Sequence, residues 1–165
     1  MILARSIVAD MVDVAEQSRA RIGQASLEEQ VFLSLMLAAD HLLRAELEVL
    51  RVAELTFSQY NVLRILRGAR PEPLSCGTIS QRMVTRDSDV TRLLDKLEER
   101  KLIERSRDAR DRRTVTAIIT DAGLQLLRKL DGPVARVHRE QLKHLTPTQL
   151  ETLRKLAEGV RGPAS

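Results

Sequence analysis

Aromatic residues are nearly missing from this 165-residue chain, which has no tryptophan, one tyrosine and two phenylalanines. Proteins that hold RNA or single strands stack bases on aromatic rings, so that class is disfavoured. Cysteine occurs once, at Cys76, which excludes an intramolecular disulfide framework and points to a reducing compartment. The seven glycines are scattered and build neither a phosphate-cradling loop nor a nucleophile elbow. His41, His138 and His144 lie too far apart in sequence for a metal-ligand pattern. An enzyme is therefore not expected, and neither is a cofactor or a metal. Long apolar runs are absent too. In "MILARSIVADMVDVAEQ", Arg5, Asp10 and Asp13 interrupt the segment before a signal core or a roughly 20-residue membrane span could form. The expectation is a cytoplasmic protein with no targeting segment and no membrane partner.

What the chain does have is a core's worth of apolar residues (43%) and a net charge of +4. Between Arg82 and Arg113 eleven Lys/Arg face eight Asp/Glu, so most of the excess lies in one fifth of the sequence. Within it, "RSRDARDRRTVTAIIT" crowds five arginines into Arg105 to Arg113 and then turns to β-branched residues. That pattern reads as a strand, a charged tip and a second strand, with the tip meant for something negative.

Local signals divide the rest. Leu3 to about Ile22 has amphipathic spacing closed by Gly23. Leu27 to about Val52 carries an apolar face too wide for one neighbour, which suggests a second subunit. "LTFSQY" and "LTPTQL" each hold a capping box, Thr56 with Gln59 and Thr146 with Gln149, inside hydrophobic staples. Between them the spacing predicts a helix from about Ser75 to Met83, a tight turn, a helix from about Asp87 to Arg100, a two-stranded hairpin, and a helix from Asp121 toward His144, kinked near Gly132-Pro133. The fold class expected is mainly α with a small β-hairpin wing: a winged helix-turn-helix lobe over 53–120, flanked by a helical lobe from 1–52 and 121–165. In the helix before the hairpin, Val90, Leu93, Leu94 and Leu97 form a buried stripe, leaving Ser88, Asp89, Thr91, Arg92, Asp95 and Lys96 outward.

The residues "LTFSQYNVLRIL", "ISQRMVTRDSDVTRLLDKLEERKLIERSRDARDRRTVTAIITDAG" and "LTPTQLETLRKL" resemble the MarR regulators, named for multiple antibiotic resistance, over roughly Leu27 to Val160. The resemblance implies a homodimer, with 1–52 and 121–165 as its helical dimerisation lobe, on a pseudo-palindromic double-stranded DNA operator, with repression relieved by a small-molecule effector. It implies a recognition helix presenting Ser88, Asp89, Thr91, Arg92 and Lys96, and a wing whose Arg113 enters the minor groove, oriented by Asp111 and supported by Arg110 and Arg112. Asp87 and Asp89 either cap the helix or accept from a cytosine amino group, and the N-cap is Thr85 or Asp87. Ser58, Thr78, Gln81 and Arg86 are candidates for phosphate contact, and Phe32, Leu35, Met36, Leu43, Tyr60, Leu63 and Leu124 for a ligand pocket. Lys101 departs from the family's glycine, so it either bears positive φ at roughly 1 kcal/mol or forms a different turn. Cys76, beside the N-cap Ser75, reads as structural. A winged-helix module that binds protein, and a DNA-binding regulator without an effector, are the competing readings.

Overall fold

The computed structural model describes residues 26–84, 89–107 and 114–160; the expected helix over residues 3–22 lies outside them. The chain divides into two compact units, Met1–Arg44 and Ala45–Ser165. Helix α1 (Leu27–Val52) begins in the first. There Ser26 Oγ accepts the Glu29 amide, an N-cap, and Arg44 pairs with Asp40 one turn back. Leu27, Val31, Phe32, Met36 and Leu37 stand exposed along this stretch.

The second unit takes in the end of α1, then α2 (Phe57–Ala69), β1 (Leu74–Ser75), α3 (Cys76–Arg82), α4 (Val90–Glu99), β2 (Ile103–Arg107), β3 (Val115–Ile119), α5 (Asp121–Leu142) and α6 (Pro147–Val160). The winged-helix order is as expected, with two differences. The sheet has three strands rather than two, in the order β1-β3-β2: β1 pairs antiparallel with β3 through Leu74 and Ala117, and occupies the edge that a hairpin alone would leave open. Two residues give too little periodicity for such a strand to be read from sequence. Helix α4 also starts later, at Val90 rather than about Asp87, and its N-cap is Asp89, not Thr85 or Asp87. The Arg92 amide donates to Asp89 Oδ1 at 2.9 Å, so the capping reading of Asp89 holds.

Caps start the other helices where the sequence places them. Thr56 Oγ1 accepts the Gln59 amide and Gln59 Oε1 accepts the Thr56 amide, with Leu55 and Tyr60 both buried beside them. Thr146 and Gln149 repeat the box at α6. Helix α5 runs on through Pro133.

Two helices end in Schellman turns without glycine. At the end of α1 the Leu55 amide reaches back to Leu50 O and the Glu54 amide to Arg51 O, with Glu54 at φ 53°. At the end of α4 the Leu102 amide reaches Leu97 O and the Lys101 amide reaches Glu98 O, with Lys101 at φ 58°. Of the two alternatives for Lys101, positive φ is the one observed. Buried Leu97 and Leu102 supply the apolar contact such a turn favours.

The core of this unit gathers Leu50, Leu55, Tyr60, Leu63 and Leu66 with Ile79, Leu94, Leu97, Ile103, Ile119, Leu127 and Val134. Gly123 lets the start of α5 close onto it. A Cβ there would stand 2.3 Å from Leu102 O and 2.7 Å from Ile119 Cγ1, a space only glycine can occupy. Thr120 holds that approach, donating its hydroxyl to Lys101 O and its amide to Leu102 O while Oγ1 accepts the Gly123 amide.

Candidate nucleic-acid interface

Helix α4 has two chemically distinct sides. Val90, Leu94 and Leu97 are buried, each contributing on the order of 1.5–3 kcal/mol by leaving water, while Leu93, expected in the same stripe, is half-buried against the core. Thr91, Arg92 and Lys96 are exposed, and among the described residues neither cation is drawn into an ion pair. A helix with a buried stripe on one side and two uncommitted cations on the other has the dimensions and charge to enter a major groove.

Asp95 departs from the outward placement expected of it. Its carboxylate pairs with Arg105 Nη2 at 2.8 Å, and Glu98, one turn along, takes Arg105 Nε at 2.7 Å. Arg105 is half-buried. Burial works against its charge, but the carboxylates of Glu98 and Asp95 outweigh that and raise its pKa. At the end of the same helix Arg100 donates to the backbone carbonyls of Glu54 (2.6 Å) and Ala53 (3.0 Å). Neither Arg100 nor Arg105 is among the site residues expected from sequence. The carboxylates at i and i+3 on α4 were a signal for Arg105; nothing local marked Arg100, whose acceptors are backbone atoms 46 and 47 positions away.

The other predicted positions fall as follows. Ser88, Arg86, Arg110, Asp111, Arg112 and Arg113 lie outside the described residues. Asp89 is exposed with its carboxylate engaged as the cap. Gln81 is exposed on α3, while Ser58 and Thr78 are half-buried. Thr78 shares a hydrogen bond with Ser75 Oγ at 3.0 Å, and Ser75 caps α3 as expected. Cys76 is half-buried against the core.

Of the residues assigned to a ligand pocket, Phe32 and Met36 are exposed in the first unit, with Leu35 and Leu43 half-buried there. In the second unit Tyr60 and Leu63 are core residues, and Leu124 packs against that core. Burial pushes the Tyr60 phenol pKa upward, and Arg64 lies over its ring at 5.7 Å. A cavity of about 540 Å3 does exist in the second unit, but its walls are Glu48, Val49, Val52, Ala53, Leu126, Lys129, Leu130 and Pro133, sharing no residue with the predicted set. Nearby, buried Glu46 meets His138 Nε2 at 3.2 Å. No helix among the described residues is long and apolar enough to cross a membrane.

Comparison with known proteins bears on this geometry. The model of the MarR family matches residues 53–114, which contain α2, α3, α4 and the strands β1 and β2, and end just before β3. A MarR transcription factor from Planctomyces limnophilus, solved by crystallography, is 39% identical, with a TM-score of 0.64, covering 81% of this chain and 97% of its own. The HTH-type transcriptional regulator TtmR of Methylorubrum extorquens is 36% identical over 106 residues, 64% of this chain; the chain spans about half (53%) of that curated relative's length. The fold also matches Escherichia coli MarR C80S, crystallised with operator DNA, at a TM-score of 0.72 and 23% identity over 82% of this chain and 99% of that one. With the three-stranded sheet, the capped helix before it and 39% identity across nearly all of a MarR structure, the chain belongs to the MarR family of winged-helix transcription regulators.

Proposed function

We propose that the chain is a homodimeric regulator that binds double-stranded DNA at a pseudo-palindromic operator, acting as a repressor released by a small apolar ligand. The observation that carries the reading is the exposed Thr91, Arg92 and Lys96 face of α4, backed by the buried Val90, Leu94 and Leu97. Two such helices related by a dyad, about 34 Å apart, would meet successive major grooves on one face of B-DNA. Arg113, oriented by Asp111 and flanked by Arg110 and Arg112, would then occupy the adjacent minor groove, where a narrow A·T segment favours a weakly hydrated guanidinium. Ser88, Arg86, Ser58, Thr78 and Gln81 complete the surface proposed to face the duplex.

Dimerisation, through a lobe formed by 1–52 and 121–165, draws support from α6. It has no buried residue, and Leu153, Leu156 and Val160 stand exposed along it. A helix with such a face needs a partner surface. Relief by ligand draws support from the 540 Å3 cavity, whose Val49, Val52, Leu126, Leu130 and Pro133 walls have the size and polarity of a small-molecule site. A duplex-binding protein of this kind works in the cytoplasm and catalyses nothing.

The test is an anisotropy titration against labelled duplex over a salt series, with sedimentation on the same sample. A dimer is expected, its affinity falling steeply with salt because condensed counterions are released. Arg92→Ala and Arg113→Ala should each weaken binding by about tenfold or more. A monomeric chain, or one blind to all duplexes at low salt but captured by an acidic protein, rejects the proposal in favour of a protein-binding module.

A further inference from the structure

Counted as charge, the cations between Arg82 and Arg113 are equivalent, yet among the described residues two of them, Arg100 and Arg105, are tied to other parts of the protein by directed bonds. Arg105 reaches from β2 to α4 and grips it at Asp95 and Glu98, one turn apart. Arg100, the C-cap of α4, takes hold of the Ala53 and Glu54 carbonyls. Those carbonyls lie in the turn just past the C-terminal, partially negative end of α1, which closes at Val52.

We infer that Arg100 and Arg105 are positioning residues rather than DNA contacts: together they fix α4 against the end of α1 and against β2. The inference rests on the reading that α4 faces DNA. The physical reason lies in the shape of the forces. Helix α4 is ten residues long, and its apolar stripe alone permits small rolls and slides, because hydrophobic contact is non-directional. A guanidinium is a planar fork with fixed donor directions. One fork seizes the side of α4 and the other its C-terminal end, so a roll that keeps one bond breaks the other. The direct consequence is a fixed angle between the Thr91–Arg92–Lys96 face and the strand that leads to the wing tip. A second consequence is a link between α1 and α4. Any displacement of the Ala53–Glu54 turn is passed to α4 through Arg100, and Ala53 is also a wall of the 540 Å3 cavity.

The test uses charge to separate positioning from simple attraction, read by anisotropy on a duplex selected from random sequence with the wild-type chain. The double variant Asp95→Asn, Glu98→Gln removes two negative charges beside the DNA face. Attraction alone predicts tighter binding; loss of the clamp predicts binding weaker by roughly two- to thirtyfold, with the salt slope unchanged. Arg100→Lys keeps the charge but replaces the fork with a point donor, and should weaken binding over the same range, again at unchanged slope. Tighter or unchanged affinity in the double variant overturns the inference, as does unchanged affinity in Arg100→Lys. So does a slope reduced by about 0.9 in Arg105→Gln, the mark of a lost phosphate contact. Circular dichroism establishes that each variant is folded; should Arg100→Lys unfold, the double variant decides by itself. If the wild-type chain binds no duplex, the DNA reading fails and the clamp is judged separately by amide exchange. Faster exchange at Glu104–Arg107 in Arg105→Gln supports it, and exchange equal to wild type rejects it.

Discussion

Replacing Gly123 with alanine adds a single methyl group, and the surroundings set its cost. The new carbon would be 2.3 Å from a backbone oxygen, Leu102 O, and 2.7 Å from Ile119 Cγ1, both inside van der Waals distance. The Ile119 side chain is buried, and the Leu102 carbonyl already accepts the Thr120 amide at 3.1 Å, so neither neighbour can yield without moving β2, β3 or the cap of α5. Overpacking of this kind costs about 1–3 kcal/mol, and loosening the Thr120 cap adds about 1 kcal/mol more. We expect Gly123→Ala to lose about 2–4 kcal/mol in urea unfolding, with each kcal/mol lowering the melting temperature by roughly 2–4 °C for a chain of this size. Variant and wild type must be compared at equal chain concentration, since assembly shifts apparent stability. Gly68→Ala is the internal control: nothing lies within 4 Å of its added carbon, and in α2 alanine should stabilise by up to about 1 kcal/mol. If Gly123→Ala loses less than about 0.5 kcal/mol, or behaves like Gly68→Ala, the close approach of α5 to Leu102 is wrong.

Three further outcomes are expected. Lys101→Gly and Glu54→Gly should each stabilise the fold by roughly 0.5–1 kcal/mol, because both residues sit at positive φ where a Cβ is strained; destabilisation in denaturant titration would contradict that backbone. Thr56→Ala should cost about 1 kcal/mol and Thr120→Ala more, since Thr120 also donates to Lys101 O; equal losses in the same assay would deny that second bond its role. Tyr60 is the chain's one tyrosine, and burial raises its folded pKa above the ordinary 10.0. The neutral phenol binds its proton more tightly when folded, so the stability it contributes is complete below the unfolded pKa and is lost as pH rises through the folded one. Phenolate absorbance should therefore titrate above the midpoint of the urea-unfolded chain; a midpoint at or below it counts against burial.

Much of this molecule is written in short-range chemistry. The Thr56–Gln59 and Thr146–Gln149 boxes, the Ser75 cap and the apolar stripe of α4 each involve residues three or four apart, and a bond that closes within one turn needs no knowledge of topology. That is why helix starts and the exposed Thr91, Arg92 and Lys96 face are legible in the sequence. The N-cap of α4 was less so, because Thr85, Asp87 and Asp89 all have capping chemistry within five residues and only the path of the chain selects Asp89. Likewise Asp95 looks like solvent-facing acid on a helical wheel, and becomes a clamp only when β2 brings Arg105 alongside.

Sequence alone thus settled the succession of helices from Leu27 onward, the two wing strands and which side of α4 is apolar, since these follow from periodicity and local hydrogen bonding. Tertiary structure decided the rest: the third strand, the demand for glycine at 123, the cavity walls, and the two arginines held by groups distant in the chain. Those depend on which surfaces meet after folding, and a contact across 7 or 46 positions carries no periodic signature in the residues between.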